Sequence, residues 1–274
     1  MTYTVNNNCL FHTDEGPSGA TPGETVLFVH GATCDSDDWA AQIPAFAARH
    51  RVLAPDLRGH GRSMGASGGF HPRDFAADLA QLIETVDAGP VVVIGHSMGA
   101  VVASVLAVEH PELVRAVVAV DHSHGFEAGF AAQIAAAFAT PDPIGVATAV
   151  LGGLEGTTAG SGYESIAVRH RRRVLGMHPE TVREVFLGLF EKGTDLTVRP
   201  HAEAYLERRD CPVLTVSAGA SLQAKGLDGD WDAAVSPHPY SASLVLDEVG
   251  HWLFQERPEE FNALVLGWID GLPD

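Results

Sequence analysis

Four short apolar runs, each rich in β-branched residues and followed within two residues by glycine, proline or aspartate, constrain the fold most strongly. Continuous rather than alternating runs are typical of strands buried on both faces of a parallel sheet. Helical patterns separate them at the spacing of crossover connections, which predicts an α/β fold. The strand runs are 25–29, 51–54, 91–94 and 114–120, and the helical patterns are 38–50, 72–86 and 98–110.

The alternation stops after residue 124 and resumes at about residue 210. Between these two positions the sequence predicts helical stretches that are separated by proline and glycine turns such as Gly160-Ser161-Gly162. We expect residues 1–124 and 210–274 to form one sheet domain, and residues 125–209 to form a helical insertion that does not fold alone. The predicted insertion helices are 126–140, 144–154, 164–176, 179–192 and 200–209, followed by strands at 212–216 and 242–246 and a helix at 258–270.

The charge balance and the cysteines limit the partners of the chain. With 17 Lys and Arg against 35 Asp and Glu, the net charge of −18 repels phosphate backbones and argues against nucleic acid. No run approaches the roughly 20 apolar residues of a membrane span, and the N-terminus lacks a secretory signal pattern. Cys9, Cys34 and Cys211 form no zinc or disulfide pattern. We expect a soluble, cytoplasmic protein without a membrane partner.

The strongest chemical signal is Gly95-His96-Ser97-Met98-Gly99, at the point where the third strand run gives way to a helical pattern. A serine in a sharp turn between strand and helix is typical of a nucleophile elbow. The turn strains the serine backbone, so small residues are needed at Gly95 and Gly99. It also lifts the hydroxyl above the sheet, near the positive end of the helix. We predict that Ser97 is a nucleophile.

A serine hydroxyl is a weak nucleophile without a base. His251 follows the last strand run and precedes the last helix, at the sheet edge where ligands bind in α/β folds, so we predict that it is the base. The oxyanion requires two backbone donors, for which we predict the N–H groups of Met98 and Ala32.

These motifs resemble those of the α/β-hydrolases, in the capped group with a His-Gly oxyanion motif. Residues 56–63, DLRGHGRS, are similar to the family's D-x-R-G-x-G-x-S turn, and Gly250-His251-Trp252 resembles its closing histidine loop. The resemblance covers the chain outside the insertion. It implies a mostly parallel central sheet with flanking helices, a helical cap inserted after the sixth strand and no cofactor.

The chain departs from the family pattern at the acid of the catalytic triad. The family places that acid just after the strand that follows the cap, where this chain has Ser221 or a near neighbour. The histidine still needs an acceptor to hold its tautomer. We predict Asp121, at the end of run 114–120, since certain lactonases and cofactor-free quinolone dioxygenases place the acid there. Asp228 or Asp230, or an acid that is absent or acts through water, are the alternatives.

Other side chains are weaker candidates for the site. We expect Trp39, His96, Phe126 and Trp252 to contact substrate, and no metal site, because no cluster of acidic residues and histidines has convincing ligand spacing.

The expected activity is hydrolysis of a carboxylic ester or lactone by a serine esterase or lactonase. The Ala- and Phe-rich start of the insertion indicates a small, uncharged, hydrophobic substrate, aromatic or a lactone. The alternatives are a cofactor-free dioxygenase that uses a His–Asp dyad on a hydroxyquinolone, a C–C bond hydrolase, and an idle binding protein. The dioxygenases have a motif similar to S-H-S-H-G at the nucleophile elbow, whereas this chain has Gly95-His96-Ser97-Met98-Gly99. A homodimer is a further expectation.

Overall fold

The computed structural model describes residues 2–5, 8–17, 25–65, 68–155 and 163–273. An eight-stranded sheet runs through its centre. Its strands are β1 (Thr2–Val5), β2 (Asn8–Glu15), β3 (Val26–Val29), β4 (Val52–Pro55), β5 (Val91–His96), β6 (Val114–Val120), β7 (Val213–Ala218) and β8 (Ala242–Leu246). They lie in the order β1-β2-β4-β3-β5-β6-β7-β8. The pairs β1–β2 and β2–β4 are antiparallel, and the five other neighbouring pairs are parallel.

The predicted α/β fold with a mostly parallel sheet is confirmed. The six predicted strand runs correspond to β3 to β8, and every residue of β3, β4 and β5 is buried. The hairpin of β1 and β2 was missing from the prediction. In β2 the buried positions include Leu10 and His12, and a histidine on the inner face hides the usual apolar alternation.

Helices flank the sheet on both faces: α1 (Ile43–Ala47), α2 (Pro72–Thr85), α3 (Met98–Glu109), α10 (Gly219–Ala224), α11 (Gly229–Ala234), α12 (Leu253–Glu256) and α13 (Pro258–Asp270). The single helix predicted over 38–50 is wrong. It is divided into a 3-10 turn, Ser36–Trp39, and α1, because Pro44 lacks an N–H and is tolerated only in a first helical turn. The short helices α10 to α12 were not predicted.

The connection between β6 and β7 contains α4 (Ala128–Phe138), α5 (Pro143–Leu154), α6 (Glu164–Gly176), α7 (Pro179–Leu187), α8 (Thr194–Thr197) and α9 (His201–Leu206). We call these helices the helical insertion. Its two ends are tied together, since the Phe126 N–H donates to Thr197 O and the Arg199 N–H to Phe126 O, both at 3.0 Å. The predicted turn Gly160-Ser161-Gly162 lies outside the described residues.

Helix α3 is apolar all round and lies behind β5, with ten of its residues buried. Such a helix belongs to the interior of the protein. Within the described ranges, none of the helices combines the length and the apolar character needed to cross a membrane.

Candidate active site

Ser97 occupies the turn between β5 and α3 in a strained conformation, with φ 55° and ψ −116°. Two close backbone approaches explain the flanking glycines. A Cβ on Gly95 would lie 2.2 Å from Gly99 O, and one on Gly99 would lie 2.2 Å from Val29 O. Neither contact is physically possible, so the tight strand-turn-helix geometry requires glycine at both positions. The Ser97 N–H donates to Val120 O at 2.9 Å, which fixes the turn against the end of β6.

Asp121 and His251 meet above the same edge of the sheet. His251 Nδ1 lies 2.5 Å from Asp121 Oδ2. The carboxylate also accepts from the Ala218 N–H at 2.9 Å on Oδ1 and from Ser221 Oγ at 2.7 Å on Oδ2. Ser221, at the position where the family usually has its acid, therefore contacts the carboxylate of Asp121.

The electrostatics favour a charged Asp121. Burial opposes ionisation, but the hydrogen bond and charge of His251, the charge of Lys225 and the bond from Ser221 together lower the pKa of Asp121 to about 2. An ionised carboxylate can only accept, so His251 Nδ1 donates to it and Nε2 is left as the basic nitrogen.

His96 supports the histidine loop from below. Its Nε2–H donates to His251 O at 2.9 Å, and its ring centroid lies 4.5 Å from that of His251. Burial, followed by the charge of His251, lowers the pKa of His96 to about 3, so the ring is neutral at pH 7. A neutral ring places no positive charge next to His251.

Two cavities meet at this point. The larger, of about 230 Å³, is lined by Ser97, Asp121 and His251 at its floor and mainly by apolar side chains of the helical insertion above. The smaller, of about 40 Å³, shares Ala32, Ser97 and His251 with it. Met98 is the first residue of α3, so its N–H has no acceptor within the helix. Ala32 lines both cavities together with Ser97, and Met98 is the next residue of the chain after Ser97. Ser97 Oγ itself lies 3.2 Å from Ser123 Oγ.

The sequence model of the family described as "alpha/beta hydrolase fold" matches residues 24–204. The chain belongs to the alpha/beta hydrolase family. A curated relative, the 2-(acetamidomethylene)succinate hydrolase of Mesorhizobium japonicum, is 38% identical over 99 residues, which are 36% of each chain. The match thus spans about a third of that relative.

Two solved structures share the fold over almost the whole chain. A thermophilic esterase from Thermogutta terrifontis has a TM-score of 0.79 at 24% identity, covering 99% of this chain and 98% of its own. The enol-lactonase of Burkholderia xenovorans LB400 has a TM-score of 0.82 at 18% identity, covering 98% of this chain and 100% of its own.

The four predicted substrate contacts divide between the cavity walls and the core of the protein. Phe126 lines the larger cavity, and its ring is stacked on Phe130 at 5.0 Å. His96 and Trp252 line the smaller cavity. The structure does not place Trp39 at either cavity, because it is fully buried and stacked on Phe254 at 4.2 Å.

The alternative acids lie elsewhere. Asp228 caps α11 by accepting from the Trp231 N–H, and Asp230 follows it on the exposed side of that helix. Asp232, the last carboxylate of this loop, is buried, and its Oδ1 lies 2.8 Å from Nε2 of His122 rather than beside His251.

Cys34, Asp38 and His170 bring three potential metal-ligand atoms within 4.8 Å of one another. The Arg173 guanidinium of α6 supplies a positive charge next to this cluster, because it forms ion pairs with both Asp38 and Asp35. Burial and the charge of Asp38 raise the pKa of the Cys34 thiol well above its ordinary value. The cluster therefore acts as an ion-pair network between the helical insertion and the loop after β3.

Several cavity-lining residues were missed at the sequence level. They include His122, Ser123 and Lys225 at the floor, and Phe186, Leu189 and Phe190 above it. Among these residues, only Lys225 stands out in the sequence, because it is one of two lysines in a chain with fifteen arginines.

Proposed function

We propose that this protein is a serine hydrolase that cleaves a carboxylic ester or a lactone through an acyl-enzyme on Ser97. In this proposal Asp121 is the acid of the triad and His251 the base. The observation that carries it is the 2.5 Å contact of Asp121 with His251 Nδ1, beside a strained serine that lines the same cavity.

The proposed reaction follows from these positions. Ser97 Oγ attacks the substrate carbonyl while His251 Nε2 takes its proton, and the Met98 and Ala32 amides donate to the oxyanion. His251 then returns the proton to the leaving alcohol oxygen as the C–O bond breaks. A water, deprotonated by His251, next attacks the acyl-enzyme, and His251 returns that proton to Ser97 Oγ as the bond between Oγ and the acyl carbon breaks, which releases the acid and free Ser97. Asp121 stays ionised and stabilises the imidazolium at each step.

The helical insertion is proposed to cap the site and hold the hydrophobic part of the substrate. Phe126 and Phe130 are stacked with parallel rings and offer a flat apolar wall. An aromatic or cyclic acyl group fits such a wall, because offset stacking adds to apolar burial. The smaller cavity is suited to a small alcohol or to the attacking water.

Activity-based labelling tests the proposal. A fluorophosphonate probe is expected to label the wild-type protein and the Ser123→Ala variant, but not the Ser97→Ala variant. Ser123→Ala is the control variant because the Ser123 hydroxyl of the wild-type protein lies 3.2 Å from the Ser97 hydroxyl. p-Nitrophenyl esters, assayed in parallel, should be turned over only by the proteins that label. Labelling that persists in Ser97→Ala would refute Ser97 as the nucleophile.

The dioxygenase alternative keeps one specific observation in its favour, an acid at the end of β6 that contacts the histidine. It predicts no serine labelling and oxygen consumption with hydroxyquinolones. Measuring oxygen uptake alongside ester turnover therefore separates the two reactions in one experiment.

A further inference from the structure

Lys225 is a cation in the wall of the larger, mainly apolar cavity. It follows α10 and lines the larger cavity with Ser97, Asp121 and Phe126. Its ammonium donates to His122 O at 2.8 Å, lies 3.4 Å from His122 Nδ1 and stands 5.7 Å from the centroid of the Phe126 ring. The other lysine, Lys192, is half exposed and paired with Glu184 on the surface.

The nearby acidic side chains are engaged by other partners. Asp121 accepts from His251 and Ser221, and Asp232 pairs with His122. Glu127, at the mouth of the cavity, pairs with Arg199 at 2.8 Å. Within the described part of the chain, no carboxylate oxygen lies within 4.0 Å of Lys225 Nζ. Lys225 is partly buried and feels the charges of Asp121 and Asp232 without a direct ion pair to either. An anionic ligand in direct contact would offset the hydration that its ammonium has lost.

The ammonium has capacity for such a ligand. An ammonium group has three donors, and the contacts above use one fully and a second weakly. Burial lowers the pKa of Lys225 to about 8, so the group still carries its proton at pH 7.

We propose that Lys225 binds a carboxylate of the substrate, so that the preferred ester or lactone carries a negative charge in addition to its reacting carbonyl. This inference rests on the proposed serine-hydrolase function and replaces the sequence-based expectation of an uncharged substrate. The hydrophobic wall then holds the body of the substrate, and Lys225 fixes its orientation.

The test compares pairs of esters in which a carboxylate of one member is replaced by a methyl group in the other. The first pair, mono-p-nitrophenyl glutarate and p-nitrophenyl valerate, places the charge on the acyl chain. The second pair, 4-acetoxybenzoate and p-tolyl acetate, places it on the leaving group. We expect wild type to prefer the anionic member of at least one pair. Lys225→Met should reduce that preference by about 10- to 100-fold in kcat/KM, as for a lost hydrogen bond between charged groups. Lys225→Arg should keep part of the preference for the anionic ester. The surface control, Lys192→Met, should keep all of that preference.

Two outcomes would overturn the inference. If Lys225→Met leaves the preference for anionic esters unchanged, Lys225 does not bind the substrate carboxylate. The same conclusion follows if the wild-type protein shows no such preference. An equal loss on both members of a pair would show instead that Lys225 acts through the charge of Asp121.

A binding measurement separates this inference from the proposed function. Calorimetric titration of the Ser97→Ala variant with glutarate and with 4-hydroxybenzoate should show binding of at least one, weakened about 10-fold or more by Lys225→Met. If the wild-type protein neither labels nor turns over esters, the hydrolase proposal fails while this titration still decides the role of Lys225. No binding by either anion contradicts the inference.

Discussion

The larger cavity has a floor formed by Ser97, Asp121 and His251 and a roof formed by the helical insertion. The floor and the roof are built in different ways. At the floor, backbone contacts dictate residue types: Gly95 and Gly99 are required by 2.2 Å approaches, and Ser97 and Asp121 both have positive φ at the ends of adjacent strands. The helical insertion also has close backbone approaches, since a Cβ on Gly188 would lie 2.3 Å from Phe70 O and one on Gly193 would lie 2.5 Å from Gly188 O. Its helices otherwise pack through apolar side chains that stack, as Phe138 and Phe186 do at 3.8 Å. The comparison teaches that the floor tolerates almost no change, whereas the roof can vary in side-chain detail.

The largest expected effect lies at the floor. Asp121→Asn should lower kcat by about 10³- to 10⁴-fold, because the amide no longer holds His251 in the required tautomer. Circular dichroism and thermal melting should show an intact fold. Asp228→Asn, which changes an exposed helix cap, is the matched control and should retain wild-type kcat. Near-normal turnover by Asp121→Asn would remove that residue from the triad.

Glycines test the comparison directly. Gly99→Ala should destabilise the protein by more than about 3 kcal/mol, because its Cβ meets a backbone carbonyl of β3. Gly152→Ala, in α5 with nothing within 4 Å of the added Cβ, should instead stabilise it by about 0.5–1 kcal/mol. Urea unfolding monitored by tryptophan fluorescence measures both. Equal effects at the two sites would contradict the proposed contrast.

The roof is tied to the loop after β3 by the ion pairs of Arg173. Arg173→Met should cost about 3 kcal/mol of unfolding free energy, because it removes the guanidinium that pairs with buried Asp38 and leaves His170 as its remaining basic neighbour. Arg172→Met, an exposed neighbour on the same helix, should change stability by less than about 0.5 kcal/mol. If both variants melt alike, the network does not hold the insertion in place.

A smaller, pH-dependent effect concerns His170, whose Nδ1 lies 2.9 Å from Glu155. Burial opposes protonation, but the carboxylates of Asp38 and Glu155 raise the pKa of His170 above its ordinary value of 6.5. A raised folded-state pKa contributes stability that is complete below pH 6.5 and is lost as pH rises through the folded value. The stability difference between wild type and His170→Gln should therefore be larger at pH 5.5 than at pH 8.5. A difference that grows with pH would contradict this sign.

The same contrast explains what the sequence could predict. The strands β3 to β8 and the elbow are encoded by local patterns, since buried parallel strands are continuously apolar and the turn needs its glycines. Prediction of the acid at Asp121 depended on the lack of a carboxylate near Ser221, and the structure places Asp121 against His251. The oxyanion donors follow from position alone, because an amide needs no particular side chain.

The cavity wall could not be predicted because it forms from residues far apart in sequence. Trp39 and Phe126 are both aromatic residues near predicted turns, yet one is buried in the core and the other lines the cavity. The His170–Arg173 stretch has the pattern of a solvated helix face, but its partners Asp35 and Asp38 come from a loop more than 130 residues earlier. Periodicity carries no information about such pairings.

The position of Asp121 has a consequence for modular exchange. Nucleophile and acid both precede the helical insertion, on adjacent strands joined through the single helix α3, and only His251 follows it. A graft that replaces residues between Phe126 and Val198 would leave Ser97 and Asp121 on one uninterrupted segment. Substrate range could then be changed by exchanging roofs, with the spacing of serine and carboxylate preserved by the sheet.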